Sequence, residues 1–224
     1  MTLFCDPDSN QIIIGVDEAG RGPLFGDVYT SAIILPKEDG FDLTLLKDSK
    51  RFTSKKKIKD VFHYIQNNNS IYSIDFVTHD IIDKINILQA TQKSMHKSVF
   101  HVITKYIEMH PDFTVEQLKS FHICVDGNYF KDFMFFYQNQ FHKISHECMI
   151  KGDDRCKAIS AASILAKVSR DTYIDTFLEE NPDYDEKYKL STNKGYGTKQ
   201  HVDGIRTYGY SPYHRKSFKL KSIT

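Results

Sequence analysis

Apolar positions fall in short runs near the start of the chain and in longer periodic stretches further on. Residues 11–16 form an apolar run that ends on Asp17 and Glu18, which predicts a buried strand. Residues 27–35 are apolar and β-branched and predict a second strand. The short glycine-bearing link of residues 20–26 makes these two a hairpin. Ser54 can cap a helix that runs to about Gln66, and residues 71–77 read as a third strand. From Asn86 to about Met109, Leu88, Met95, Val99, Val102 and Tyr106 recur at helical spacing. Residues 122–125 read as a short buried strand ending at Asp126, and residues 141–149 as another. Residues 159–178 form a helix with Ile164, Leu165, Val168, Ile174, Phe177 and Leu178 on its apolar side. Residues 181–197 read as loop, and Thr198 begins a last helix. Three strands followed by alternating strands and helices imply a mixed sheet with helices packed on it.

With 224 residues, 40% of them hydrophobic, one compact domain with a real core is expected, and disorder is excluded. No apolar run approaches the roughly 18 residues of a membrane span. The first residues lack a basic stretch followed by an apolar one, so a secretory signal is not expected and a cytoplasmic protein is. Cys5, Cys124, Cys148 and Cys156 form no C-x-x-C, which argues against a zinc ribbon and reads as four reduced thiols. Cys124 and Cys148 sit in apolar runs and read as core. The ten histidines are scattered and receive no ligand role.

Net charge is +1, yet from Lys187 onward nine Lys or Arg face a single acid, Asp203. Tyr188, Tyr196, Tyr208, Tyr210, Tyr213 and Phe218 are interleaved with them. Cations with aromatics suit nucleic acid; a solvated basic tail with core tyrosines is the other reading.

Asp17, Glu18 and Asp126 close strands, and Asp153 and Asp154 precede a helix. Such acids can converge at one sheet edge, where they repel one another unless a cation sits among them. Mg²⁺ is the natural ion, and two such ions can activate a water and steady a leaving oxygen in phosphodiester cleavage. Turn or cap roles for these acids are the alternative. Neighbouring residues in a regular strand face opposite ways, so Asp17 and Glu18 share a site only if the strand ends or kinks between them. There is no G-x-x-x-x-G-K-[ST] phosphate loop, and His146-Glu147 lacks the second histidine of a zinc-protease helix. Gly20, Gly22 and Gly26 miss the dinucleotide spacing by one residue.

Taken together, several segments resemble ribonuclease HII. They are GVDEAGRGP from Gly15, LKDSK from Leu46, NILQAT from Asn86, VDGN from Val125, KGD from Lys151, ISAASILAKVSRD from Ile159, KGYGT from Lys194 and SPYHRKSF from Ser211. They follow the family's order from about residue 11 to residue 218. The resemblance implies a ribonuclease H-like α/β fold, with a mixed five-stranded sheet flanked by helices and a helical C-terminal extension. It implies a single catalytic domain over residues 1–224, with residues from about 181 to 224 as a basic, aromatic substrate-binding segment. The activity implied is endonucleolytic. It covers the RNA strand of RNA–DNA hybrids and nicking of duplex DNA 5′ of an embedded ribonucleotide, leaving 3′-hydroxyl and 5′-phosphate ends.

The family's four catalytic and metal-binding carboxylates map to Asp17, Glu18, Asp126 and Asp153, and the implied cofactor is two Mg²⁺ or Mn²⁺ ions. The family's glycine-arginine-glycine motif maps to Gly20, Arg21 and Gly22, whose backbone reads the ribose 2′-hydroxyl. Tyr196 maps to the tyrosine that packs on the sugar of the following deoxynucleotide. Lys50, Asn86 and Gln89 match positions near the nucleic acid; Asn86 is otherwise a helix cap and Lys50 a solvated lysine. A monomer without membrane contact is expected. Asp154 is an extra acid left outside the site. The aromatic segment with Phe130, Phe133, Phe135, Phe136 and Tyr137 is a lid, a partner surface or local core. Two rival readings are a catalytically silent hybrid- or junction-binding protein of this fold and a metal-dependent DNA nuclease of the superfamily.

Overall fold

A computed structural model describes residues 10–36, 40–69 and 71–220. Its centre is a six-stranded sheet of order β3-β2-β1-β4-β6-β5. Strands β1 (Ile12–Ala19), β2 (Val28–Ile33) and β3 (Tyr72–Val77) form an antiparallel meander. Strand β4 (Phe121–Asp126) lies parallel to β1, and β6 (Gln140–Met149) lies parallel to β4. Strand β5 (Phe133–Tyr137) closes the far edge as an antiparallel hairpin with β6. Its turn residues, Gln138 and Asn139, both have positive φ, as the tightest hairpin turns require.

The sheet therefore has six strands, not five. The additional one is β5, drawn from the aromatic segment. Every residue from Phe133 to Tyr137 is apolar or aromatic, so no polar alternation marks the strand. In the fold Phe133 and Phe135 are buried while Met134 and Phe136 are exposed. The segment is thus local core on one face only.

The helices follow the apolar periods. Helix α1 (Lys55–Asn68) starts on Ser54, whose side chain accepts from Lys56 N–H. A short helix not anticipated, α2 (His79–Ile85), precedes α3 (Ile87–Met109). Helix α3 covers one sheet face, burying Met95, Val99, Val102 and Ile103 against Ile14, Val16, Ile123 and Val125. Helix α4 (Lys157–Glu180) covers the other face and packs Ala161, Ala162, Ile164 and Leu165 against Ile33, Leu46 and Ile65. Its small residues let it approach β1 closely. A methyl group added to Gly15 would sit 2.2 Å from the Ala158 carbonyl carbon. That contact fixes the start of α4 against the middle of β1.

Residues 181–197 hold two short helices, α5 (Asp183–Tyr188) and α6 (Leu190–Asn193), where loop was expected. Six and four residues are too few to show a helical period. With α7 (Lys199–Tyr208) they bury Tyr188, Leu190, Val202 and Ile205 around Phe25 of the β1–β2 connection. Cys124 is a buried free thiol and Cys148 a partly buried one, as read from the sequence. Cys156 is disulfide-bonded, against the expectation of a reduced thiol. Cys5 lies outside the described residues. No helix among the described residues is long and apolar enough to cross a membrane.

Candidate active site

Strands β1, β4 and β6 are adjacent and parallel, so their carboxyl ends share one edge of the sheet. Asp17 lies near the end of β1, Asp126 ends β4, and Asp153 sits in the single 3₁₀ turn Gly152–Asp154 after β6. Carboxylate oxygens of these three residues lie within 4.8 Å of one another. Local hydrogen bonds hold two of them in place. The Gly152 N–H donates to Asp126 Oδ1 at 2.7 Å, and the Glu18 N–H donates to Asp17 Oδ1 at 2.7 Å. Ser163 of α4 also hydrogen-bonds Asp17, and its hydroxyl is 3.0 Å from that of Ser49.

Glu18 is the exception among the four expected carboxylates. It follows Asp17 directly on β1, and its carboxylate feels the charges of Asp126 and Lys50 as well. Its Oε1 accepts from Arg21 Nη1 at 3.2 Å and lies outside the three-carboxylate group. It is nonetheless close enough to repel Asp17.

Buried acids this close resist ionising. Burial, then repulsion from Glu18 and Asp126, holds Asp17 well above the usual carboxylate range. Burial, then Asp126 and Asp48, pushes Asp153 up to about 6. Burial raises Glu18 too, opposed by Arg21. Among the described residues the cation nearest Asp153 in an ion pair is Lys50, 3.9 Å from Oδ2 and itself well exposed. Such a desolvated, oxygen-only donor set fits a hard divalent cation, Mg²⁺ or Mn²⁺.

A pH dependence follows from these shifts. Well below about pH 4 the acids are protonated in both folded and unfolded chains. As pH rises, the unfolded chain ionises first while folded Asp153 keeps its proton until about 6. The folded state then binds more protons, so metal-free stability falls across that window. Mn²⁺ offsets the repulsion, so its stabilising effect grows with pH over the same range. Thermal unfolding with chelator and with Mn²⁺, run from pH 4 upward, reads this directly; a metal effect independent of pH contradicts it.

The glycine loop sits beside the acids and is held from below by two buried arginines. Arg215 donates to the carbonyls of Gly20 (2.7 Å), Arg21 (3.1 Å), Pro23 (2.9 Å) and Gly26 (2.7 Å). Arg170 donates to those of Phe25, Asp27 and Lys194. Gly20 has φ +93° and no room for a side chain: an added methyl would lie 2.1 Å from Arg170 Nε. At Gly22 the added atom would meet only the Tyr196 ring, at 3.6 Å. The loop and Tyr196 are therefore neighbours, and the Tyr196 ring is partly exposed.

The other expected contacts divide. Lys50 borders the acids, as above. Asn86 caps α3 by accepting from Gln89 N–H at 3.1 Å. Gln89 Oε1 accepts from Lys131 Nζ at 2.7 Å, beside the segment that follows Asp126. Asp154 pairs with Arg51 at 2.8 Å and groups with Asp48 and Asp153. Much of the basic C-terminal stretch is committed internally. Lys194 is buried and paired with Asp175, Arg215 is buried, and Lys199 and Arg206 both pair with Asp203. Asp48, Ser49, Ser163, Arg170 and Arg215 were missed as site residues. Asp48 and Ser49 lie inside the LKDSK segment that drew attention only to Lys50. The arginines carry no local signal, because the carbonyls they bind come from distant parts of the chain.

The sequence profile of ribonuclease HII matches residues 14–221. The chain belongs to the ribonuclease HII family. It is 41% identical over 210 residues to ribonuclease HII of Christiangramia forsetii, covering 93% of this chain and 90% of that one. It is 38% identical over 215 residues to ribonuclease HII of Treponema denticola, covering 95% of this chain and all of the relative. The fold is similar to ribonuclease H2 of Pyrococcus horikoshii, with TM-score 0.65, 20% identity and coverage of 92% and 93%. It is also similar to ribonuclease HII of Archaeoglobus fulgidus, solved in complex with PCNA, with TM-score 0.64, 17% identity and coverage of 95% and 98%. Membership makes the chain a metal-dependent endoribonuclease of ribonuclease H type.

Proposed function

We propose that this ribonuclease HII cleaves the RNA strand of RNA–DNA hybrids and nicks duplex DNA on the 5′ side of an embedded ribonucleotide. The products are a 3′-hydroxyl and a 5′-phosphate. The observation that carries this reading is the placement of the three-aspartate group beside a backbone loop open at Gly22 and flanked by Tyr196.

Asp17, Asp126 and Asp153 would hold two divalent ions, Mg²⁺ or Mn²⁺, with Glu18 alongside. When bound, such ions supply water activation and charge stabilisation at the departing 3′-oxygen. The chain's own groups do the positioning. The backbone of residues 20–22 meets the 2′-hydroxyl, the group that separates RNA from DNA at one site. Arg21, half exposed and using one nitrogen on Glu18, has donors left for the phosphate beside the cut. Tyr196 packs on the sugar of the next deoxynucleotide. Lys50 faces the same phosphates, and Gln89 and Asn86 border the groove on the α3 side.

The test is a 5′-labelled RNA strand paired with DNA, set against the same RNA paired with RNA, both in Mg²⁺. Cleavage of the hybrid alone is expected. Equal cleavage of duplex RNA overturns the substrate assignment, and tight binding of the hybrid without cleavage favours a silent binding protein. Tyr196→Ala separates the junction role. It should lower cleavage at a single-ribonucleotide junction by roughly 10-fold, as loss of one stacking contact of about 1–3 kcal/mol implies. Cleavage inside a long hybrid should change less. Equal losses on both substrates contradict the role given to Tyr196.

A further inference from the structure

Strands β4 and β6 carry a second group of metal-type donors, distinct from the aspartates. His122 and Cys124 lie two residues apart on β4 and so project to one face. Glu147 of β6 stands opposite Cys124 in the parallel register. Its Oε1 lies 3.5 Å from Cys124 Sγ and 3.5 Å from His122 Nε2. All three donor atoms fall within 4.8 Å of one another.

These spacings match a coordination sphere. Zinc holds sulfur at about 2.3 Å and nitrogen and oxygen at about 2.0–2.2 Å, in a tetrahedron. That geometry separates sulfur from oxygen by about 3.6 Å and nitrogen from oxygen by about 3.4 Å. The apoprotein contacts already approach both values.

The imidazole is also oriented as a ligand. His122 Nδ1 is 2.9 Å from Ser145 Oγ, and that hydroxyl donates to the Phe121 carbonyl at 3.1 Å. A hydroxyl has one proton. With it given to Phe121, Ser145 accepts from Nδ1–H, and Nε2 is the nitrogen that faces Cys124 and Glu147. Metal-bound histidines are held in this way, by a hydrogen bond from the ring nitrogen that does not touch the ion. Exposure rises from Cys124 at 0% through the His122 side chain at 19% to that of Glu147 at 44%. A fourth position would therefore open to water.

We propose that His122, Cys124 and Glu147 form a three-ligand site for Zn²⁺ that ties β4 to β6. Thiolate and imidazole suit zinc, whereas the all-carboxylate edge suits Mg²⁺ or Mn²⁺, so the two sites select different ions. Nothing in the phosphodiester chemistry uses these residues, and the inference stands whatever the substrate. Its consequence is structural: a cross-link two residues before Asp126 on β4 and shortly before Asp153 after β6, stabilising the strands that present both acids.

Cobalt tests it on the full-length, metal-stripped protein. Co²⁺ bound to a thiolate gives a near-ultraviolet charge-transfer band that carboxylate-bound cobalt lacks. Titration should develop this band to one equivalent per chain, and Zn²⁺ should abolish it. The band should persist in Asp126→Asn and in Cys148→Ser and vanish in Cys124→Ser. Ser145→Ala, which removes only the imidazole's anchor, should weaken cobalt binding roughly 10- to 100-fold. Glu147→Gln, at an exposed strand position, should weaken it at least about 10-fold and decides the matter if Cys124→Ser does not fold. Absence of the band in folded wild-type protein overturns the site. So does its survival in Cys124→Ser, or unchanged affinity in Glu147→Gln.

Discussion

Asp126→Asn should lower cleavage at least ~100-fold while leaving hybrid binding intact. The substitution keeps the shape of the site: the asparagine oxygen can still accept from the Gly152 N–H that Asp126 Oδ1 now holds at 2.7 Å. The end of β4 and the turn carrying Asp153 therefore stay in place. What is lost is one of three charges whose oxygens lie within 4.8 Å. That charge has value only with cations between the carboxylates, which is the condition for chemistry and not for grip on the duplex. On the proposed reading binding rests on Arg21, Lys50 and the loop backbone, and removing a negative charge near phosphates would not weaken it. Asp126 also raises Asp17 and Asp153 by repulsion, so the metal-free variant should melt higher than wild type near neutral pH. Cleavage rate, hybrid titration and thermal unfolding check the three parts. Near-normal turnover would remove Asp126 from the catalytic group.

Gly20→Ala and Gly22→Ala should fail in different ways, although the two glycines flank one residue. At Gly20 the new methyl needs a left-handed backbone at φ +93° and collides with the Arg170 guanidinium at 2.1 Å. Arg170 is fully buried and holds the Phe25, Asp27 and Lys194 carbonyls, so it cannot swing into solvent. Displacing a buried, hydrogen-bonded charge costs on the order of 3–5 kcal/mol. At Gly22 the methyl meets only the Tyr196 ring at an ordinary 3.6 Å, so the fold survives. On the proposed reading it would occupy the surface where the 2′-hydroxyl approaches. Urea unfolding should thus show a large loss for Gly20→Ala and little for Gly22→Ala. Cleavage at a single ribonucleotide should fall in both. A Gly22→Ala enzyme with full activity would move the 2′-hydroxyl reading elsewhere.

The aspartates were legible because each follows an apolar strand or a glycine, and three of them do converge. Glu18 stands beside them, within reach of the charges of Asp17 and Asp126. Strand β5 was hidden by its own uniformity: five apolar or aromatic residues carry no period. Arg215 was one of the basic C-terminal cations, read as nucleic-acid contacts or a solvated tail because charged side chains are normally exposed, and Arg170 carried no signal of its own. Their burial is intelligible only in three dimensions, where the Gly20, Arg21, Pro23 and Gly26 carbonyls converge on Arg215. Residues proposed to touch substrate were thus easier to see than those that hold the loop. The His122, Cys124 and Glu147 group has the same origin, since strand register across β4 and β6 brings it together with no linear motif.

The most direct test of the account uses two duplexes of identical sequence, one all DNA and one with a single ribonucleotide. Both are incubated with the enzyme and Mg²⁺, and the ends are mapped. The account predicts one nick, immediately 5′ of the ribonucleotide, with a 3′-hydroxyl and a 5′-phosphate, and an intact all-DNA duplex. Cutting of the all-DNA duplex at a comparable rate would contradict the reading of the 2′-hydroxyl by residues 20–22 and the role of this edge of the sheet.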